Sequence, residues 1–189
     1  MPSTRPQGER RRWEPVHTAA LATFAVVSLG VGLLVRTGPG EYVVAPAFHL
    51  FFSDSIHMKA WLATGALALG CVQVLTAARL FELVRFQPAG AFWGTVHRIS
   101  GYLAIGLSLP VAYHCIFLAG FETTSLRVAI HSVLGSMVYG VFLGKMIVVR
   151  SARFPAWALP VAGMLLFAIL AGLWLTSSLY LFSSGPISL

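Results

Sequence analysis

HRISGYLAIGLSLPVAYHC, His97 to Cys115, and RVAIHSVLGSMVYGVFLGKMIVVR, Arg127 to Arg150, decide the fold. They are two long apolar segments joined by a short loop, with histidines inside both. An imidazole in hydrocarbon lacks the water that would satisfy its nitrogens, so it needs a hydrogen-bond partner, a metal or a water-filled cavity. His114 and His131 are therefore the residues to explain.

Working outward, the chain is 57% hydrophobic and 10% charged over 189 residues, more apolar surface than one water-soluble core of this size hides. That composition predicts an all-α, polytopic membrane helix bundle. Residues 1–16 carry Arg5, Arg10, Arg11 and Arg12 among prolines and read as a basic tail. Apolar runs then predict five transmembrane helices over about 18–35, 57–79, 95–120, 127–149 and 156–182, within one domain over 17–182 and with a short tail over 183–189. The first run ends in RTGPGEY with no small-x-small cleavage site, which favours a retained helix over a signal peptide. Ser53 or Asp54 can cap the second helix, and Pro110 should kink the third one turn before His114.

The formal charge of +7 belongs to membrane topology, since no nucleic-acid module accompanies it. Four tail arginines, Arg79, Arg85, Arg98, Lys145, Arg150 and Arg153 fall on one side of a five-helix arrangement, ten in all. Arg36, Lys59 and Arg127, three, fall on the other. Ten against three puts the amino terminus in the cytoplasm and the 183–189 tail outside a plasma membrane. On that topology His114, near the end of helix three, and His131, near the start of helix four, lie at one depth in the outer leaflet.

Two imidazoles at one level on antiparallel neighbours suit the axial pair of a b haem, with Gly135 leaving room for the porphyrin and Arg127 or Lys59 near its propionates. The plainer alternative is that each imidazole bonds a Ser, a Tyr or a backbone carbonyl and holds helices together. His57 lies on the same side at headgroup level, as a third ligand candidate or an interfacial polar residue. His97 lies at the cytoplasmic edge. It is 17 residues from His114, about 100° off a common face and ~26 Å along the axis, so the two cannot serve one stack of cofactors. A weak internal echo links His97-x3-Gly101-x4-Gly106 to His131-x3-Gly135-x4-Gly140. Gly140-x3-Gly144 permits close helix contact, within the monomer or in a homo-oligomer. Cys71 and Cys115 differ too much in depth for an easy disulfide. No CxxC, HExxH, Walker loop or nucleophile elbow occurs, and no carboxylate falls in an apolar run, which argues against a hydrolase or a proton-coupled transporter.

KAWLATGALALGCVQVLTAARL, HRISGYLA, LPVAYHC, RVAIHSVLG, YGVFLGKMIVVR and PAWALPVAG, spread over about residues 47–182, resemble a bacterial family of short five-helix membrane proteins of unknown function. At greater distance the histidine-bearing helices are similar to cytochrome b561 and ferric-reductase transmembrane modules. That resemblance implies b-type haem between helices, with His114 and His131 as ligands and His97 more remotely. The 17-residue spacing and the five helices depart from those modules. The expectation is a b-type cytochrome-like electron-transfer protein, one haem near the outer face, exchanging electrons with a quinone or a redox partner protein. The rivals are a structural subunit, and a metal-binding or transport protein using His57, His114, Cys115 and His131.

The charge count makes a direct prediction. A membrane-impermeant thiol reagent added to cells should label a Glu122→Cys variant and miss Arg153→Cys; the reverse pattern would invert the topology.

Overall fold

The computed structural model describes residues 15–37, 47–84, 91–151 and 153–184. Most of the expected basic tail and of the carboxyl-terminal tail lies outside these residues, as does Arg85. The described chain forms α1 (Pro15–Thr37), α2 (Ser55–Leu80), α3 (Ala91–His114) with a π-helical turn (Cys115–Ala119), α4 (Leu126–Arg150), α5 (Ala158–Thr176) and α6 (Ser178–Ser184). These make five spans long and apolar enough to cross a membrane, α5 and α6 forming the last together, and no strand occurs among the described residues.

Local chemistry sets the helix starts. Asp54 is the cap of α2, its carboxylate accepting from the backbone N–H groups of Ile56 and His57 at 2.8 Å each. Its other oxygen meets the His57 ring at 2.8 Å, so the third residue of α2 closes over its own cap. Ser125 does the same for α4 by accepting from Val128 N–H at 3.3 Å. The fifth span is not one unbroken helix. Ser177 leaves helical geometry (φ −124°, ψ −76°), and α6 restarts beyond it.

The helices close into a ring. α3 packs on α2, α2 on α5, α5 on α4 and α4 on α1, while α1 returns to the π turn after α3. Contacts between helix ends show that successive spans run antiparallel. Thr76 near the end of α2 meets His97 near the start of α3, and Arg127 at the start of α4 meets Thr176 at the end of α5. Leu29, Leu33, Leu103 and Leu165 face outward and exposed, as lipid-facing side chains do.

The α1–α4 seam brings backbone against backbone. A Cβ on Gly140 would collide with Ser28 Oγ and come within 2.7 Å of the Phe24 carbonyl oxygen, whereas one on Gly144 would sit an ordinary 3.6 Å from the Ala20 carbonyl. The Gly140-x3-Gly144 pair therefore acts within one chain, and only Gly140 is sterically obligatory.

Two stability predictions follow from these contacts. Gly140→Ala should destabilise the detergent-solubilised protein by about 1–3 kcal/mol, because backbone cannot move aside, while Gly144→Ala stays near wild type in a thermal melt. The second concerns Asp54, whose carboxyl is held below the ordinary carboxylate range first by the His57 backbone N–H and then by the His57 ring. A depressed folded value means stabilisation that is present above the unfolded carboxyl pKa and lost as pH falls through the folded one. Asp54→Ala should therefore melt earlier than wild type at neutral pH, with the gap closing in acid.

Candidate intramembrane binding site

A cavity of about 320 Å³ lies inside the ring, toward the end where α2 and α4 begin and α3 and α5 finish. Side chains from all five spans line it, among them Val35 of α1, Ala66 of α2, Val111 of α3, His131 of α4 and Leu173 of α5. The wall is mostly aliphatic. Its volume falls at the lower end of the range of about 300–1,000 Å³ usual for small-molecule sites.

His131 is the one histidine on this wall, and its hydrogen bonds fix its tautomer. Thr176 Oγ1 donates its single proton to the Gly172 carbonyl at 2.7 Å. With that proton on a carbonyl, of Gly172 or of Leu173 at 3.1 Å, the 2.9 Å contact between Thr176 Oγ1 and His131 Nδ1 is assigned with Nδ1–H donating. Nε2 is left with a lone pair and no hydrogen bond to a described residue. Such an imidazole can accept a proton donor or ligate a metal, its Nδ1 being already held from behind.

His114 has the same tautomer with a different outcome. Nδ1 donates to the Pro110 carbonyl at 3.0 Å, one turn back, and Nε2 accepts from Phe48 N–H at 3.4 Å. The Phe48 ring lies edge-on at 4.6 Å, and only 1% of His114 remains exposed. This histidine ties the segment before α2 to the end of α3 and does not line the cavity. In the structure His114 and His131 share an end of the bundle but not a site.

The other residues singled out from sequence are placed as follows. His57 closes on Asp54 at the start of α2. His97 sits at the opposite end, its Nδ1 2.8 Å from Thr76 Oγ1, whose own proton goes to the Val72 carbonyl at 2.7 Å. Arg127 donates to the Thr176 carbonyl at 2.5 Å and lies 3.9 Å over the Tyr180 ring, so it is engaged with the end of α5 and α6. Gly135 lines the cavity, and a Cβ there would meet only Leu173 Cδ2 at 3.9 Å, so the space it faces is open. By contrast Gly101, its counterpart in the internal echo, faces the Gln73 amide at 3.3 Å. Gln73 also donates to Ser100 Oγ at 2.8 Å and to the His97 carbonyl. The glycine beside His97 thus receives a glutamine, and the glycine beside His131 opens on a cavity.

Among the described residues no three His, Cys, Asp or Glu side chains come together as a metal-holding group. Two functional positions escaped sequence reasoning. Thr176 fixes the His131 proton, and Tyr139, eight residues after His131, bonds Ser108 Oγ across the cavity at 3.0 Å. Counting depth from the ends of helices four and five would have put Thr176 level with His131. Nothing in the sequence marked Tyr139 as facing inward.

Comparison with known proteins adds a family. The model of a family of unknown function, DUF6529, matches residues 17–188, and the chain belongs to that family. No curated protein and no solved structure matches it.

Proposed function

We propose that this DUF6529 chain is a membrane-embedded binding protein for a lipid-soluble redox molecule, held in the central cavity by His131 Nε2 and serving electron transfer in the plasma membrane. The observation that carries the reading is the His131 lone pair, fixed through Thr176 and presented to an apolar chamber walled by all five spans. An acceptor aimed into an apolar chamber and unmatched by any donor among the described residues is what a ligand donor would complete, at about 1 kcal/mol for an ordinary hydrogen bond.

A b haem is the second reading, and one observation favours it. His114 and His131 both keep their proton at Nδ1, the arrangement in which Nε2 ligates iron. His131 fits such a group as it stands. His114 fits only after Phe48 N–H gives up its Nε2. A haem so held would supply one-electron transfer, and the likeness to cytochrome b561 and ferric-reductase modules belongs to this reading.

One preparation tests both. Protein purified in mild detergent should release a lipid-soluble molecule on organic extraction, identified by mass spectrometry and lost in His131→Leu and in Gly135→Leu, whose side chain fills the chamber. A folded wild-type protein yielding none would sink the cavity reading. A reduced-minus-oxidised b-type spectrum, abolished in both His114→Ala and His131→Ala, would put the haem reading in its place.

A further inference from the structure

The direction of the hydroxyl, indole and imidazole groups on the cavity wall narrows the ligand class, granted that the cavity binds a ligand at all. The hydroxyl and indole donors facing the chamber are already spent. Ser108 Oγ donates to the Ile105 carbonyl at 2.7 Å, Ser136 Oγ to Ser132 at 2.9 Å, Ser177 Oγ to Leu173 at 2.7 Å, and Trp174 Nε1 to Thr64 Oγ1 at 2.9 Å. With the Ser108 proton committed, the 3.0 Å contact between Ser108 and Tyr139 makes the Tyr139 hydroxyl the donor and leaves lone pairs on its Oη. His131 Nε2 is likewise an acceptor. The strong donor that remains on the wall is Lys59, in the first turns of α2 at the His131 end of the chamber.

We infer that the site takes a ring bearing two hydroxyl donors, the hydroquinone head of a lipid-soluble quinol, with one hydroxyl donating to His131 Nε2 and the other to Tyr139 Oη. The two residues are eight apart on α4, about 12 Å along the axis and ~80° apart around it, and both side chains line the one chamber. A para-hydroquinone with a hydrogen bond of about 2.8 Å at either end spans roughly 11 Å. The quinone form offers only carbonyl acceptors, which in this pose would face the acceptors of His131 and Tyr139. The reduced form is therefore the one bound, and oxidation would loosen it. The aliphatic lining, with the indole of Trp174, covers the ring faces.

The test uses the full chain in nanodiscs, with a decyl-substituted hydroquinone, its monomethyl ether and the matching quinone as probes, read by quenching of tryptophan fluorescence. The hydroquinone should bind about tenfold or more tighter than the quinone, with the monomethyl ether between them. Tyr139→Phe, which keeps the ring, should erase the difference between hydroquinone and its ether. Lys59→Met should leave the preference intact. Equal binding of quinol and quinone, or a preference for the quinone, would overturn the inference while the extracted ligand of the preceding section still stood. Failure of all three probes with the wild-type protein would overturn it as well, and a ligand found by extraction would then belong to another class.

Discussion

Hydrocarbon offers no water to a polar group, so every donor inside this bundle must find an acceptor in the protein itself. Except at Ser28 and Ser178, whose buried hydroxyls have no partner among the described residues, the chain meets that constraint largely with short side chains that bond back to the carbonyl one turn earlier: Thr64 to Ala60, Thr76 to Val72, Thr176 to Gly172 and Ser177 to Leu173. Each such bond spends a donor and leaves an oxygen that can still accept. The accumulated effect is a bundle interior poor in donors. Imidazoles respond by turning Nδ1–H toward those oxygens or toward a carbonyl, which is what His97, His114 and His131 all do.

One device therefore appears three times with three consequences, and the surroundings decide which. At His114 the Nε2 lone pair is taken by Phe48 N–H, and the histidine becomes a tie between the segment before α2 and the end of α3. At His97 the neighbouring space is filled by Gln73, which joins α2 to α3 through Ser100. At His131 the glycine one turn on faces open volume, and the lone pair faces the cavity. The difference between glue and site here is not the imidazole but what stands opposite its second nitrogen.

That is also the boundary of what the sequence could reveal. Five spans were legible because apolar length and loop punctuation are local properties, and Asp54 as a cap was legible because the acid immediately precedes the helix it serves. The break at Ser177 was not, since an apolar run through Phe182 carries no breaker. The depth of His114 and His131 could be counted along the chain, and both do lie at the same end of the bundle. Which way each ring faces depends on the order of helices around the ring, and α1 sits between α4 and the π turn of α3. Nothing local encodes that order. The pairing of Gly140 with Phe24 and Ser28, across more than a hundred residues of sequence, is of the same kind.

The spacing of the histidines bears on how electrons would use such a protein. His97 and His114 are about 26 Å apart along α3, and His131 is at the His114 end, so the cavity lies toward one end of the bundle, far from the end that holds His97. A fixed cofactor at His131 would be stranded without a relay. A lipid-soluble quinol has no such difficulty, because it carries its electrons laterally through the bilayer and needs only one docking place near the face where it is used. The proposed preference for the reduced form then has a direction built into it: a quinol would be held while it carries electrons and released once its hydroxyl protons are gone. The same donor-poor interior that folds the helices would thereby set which redox state the cavity retains.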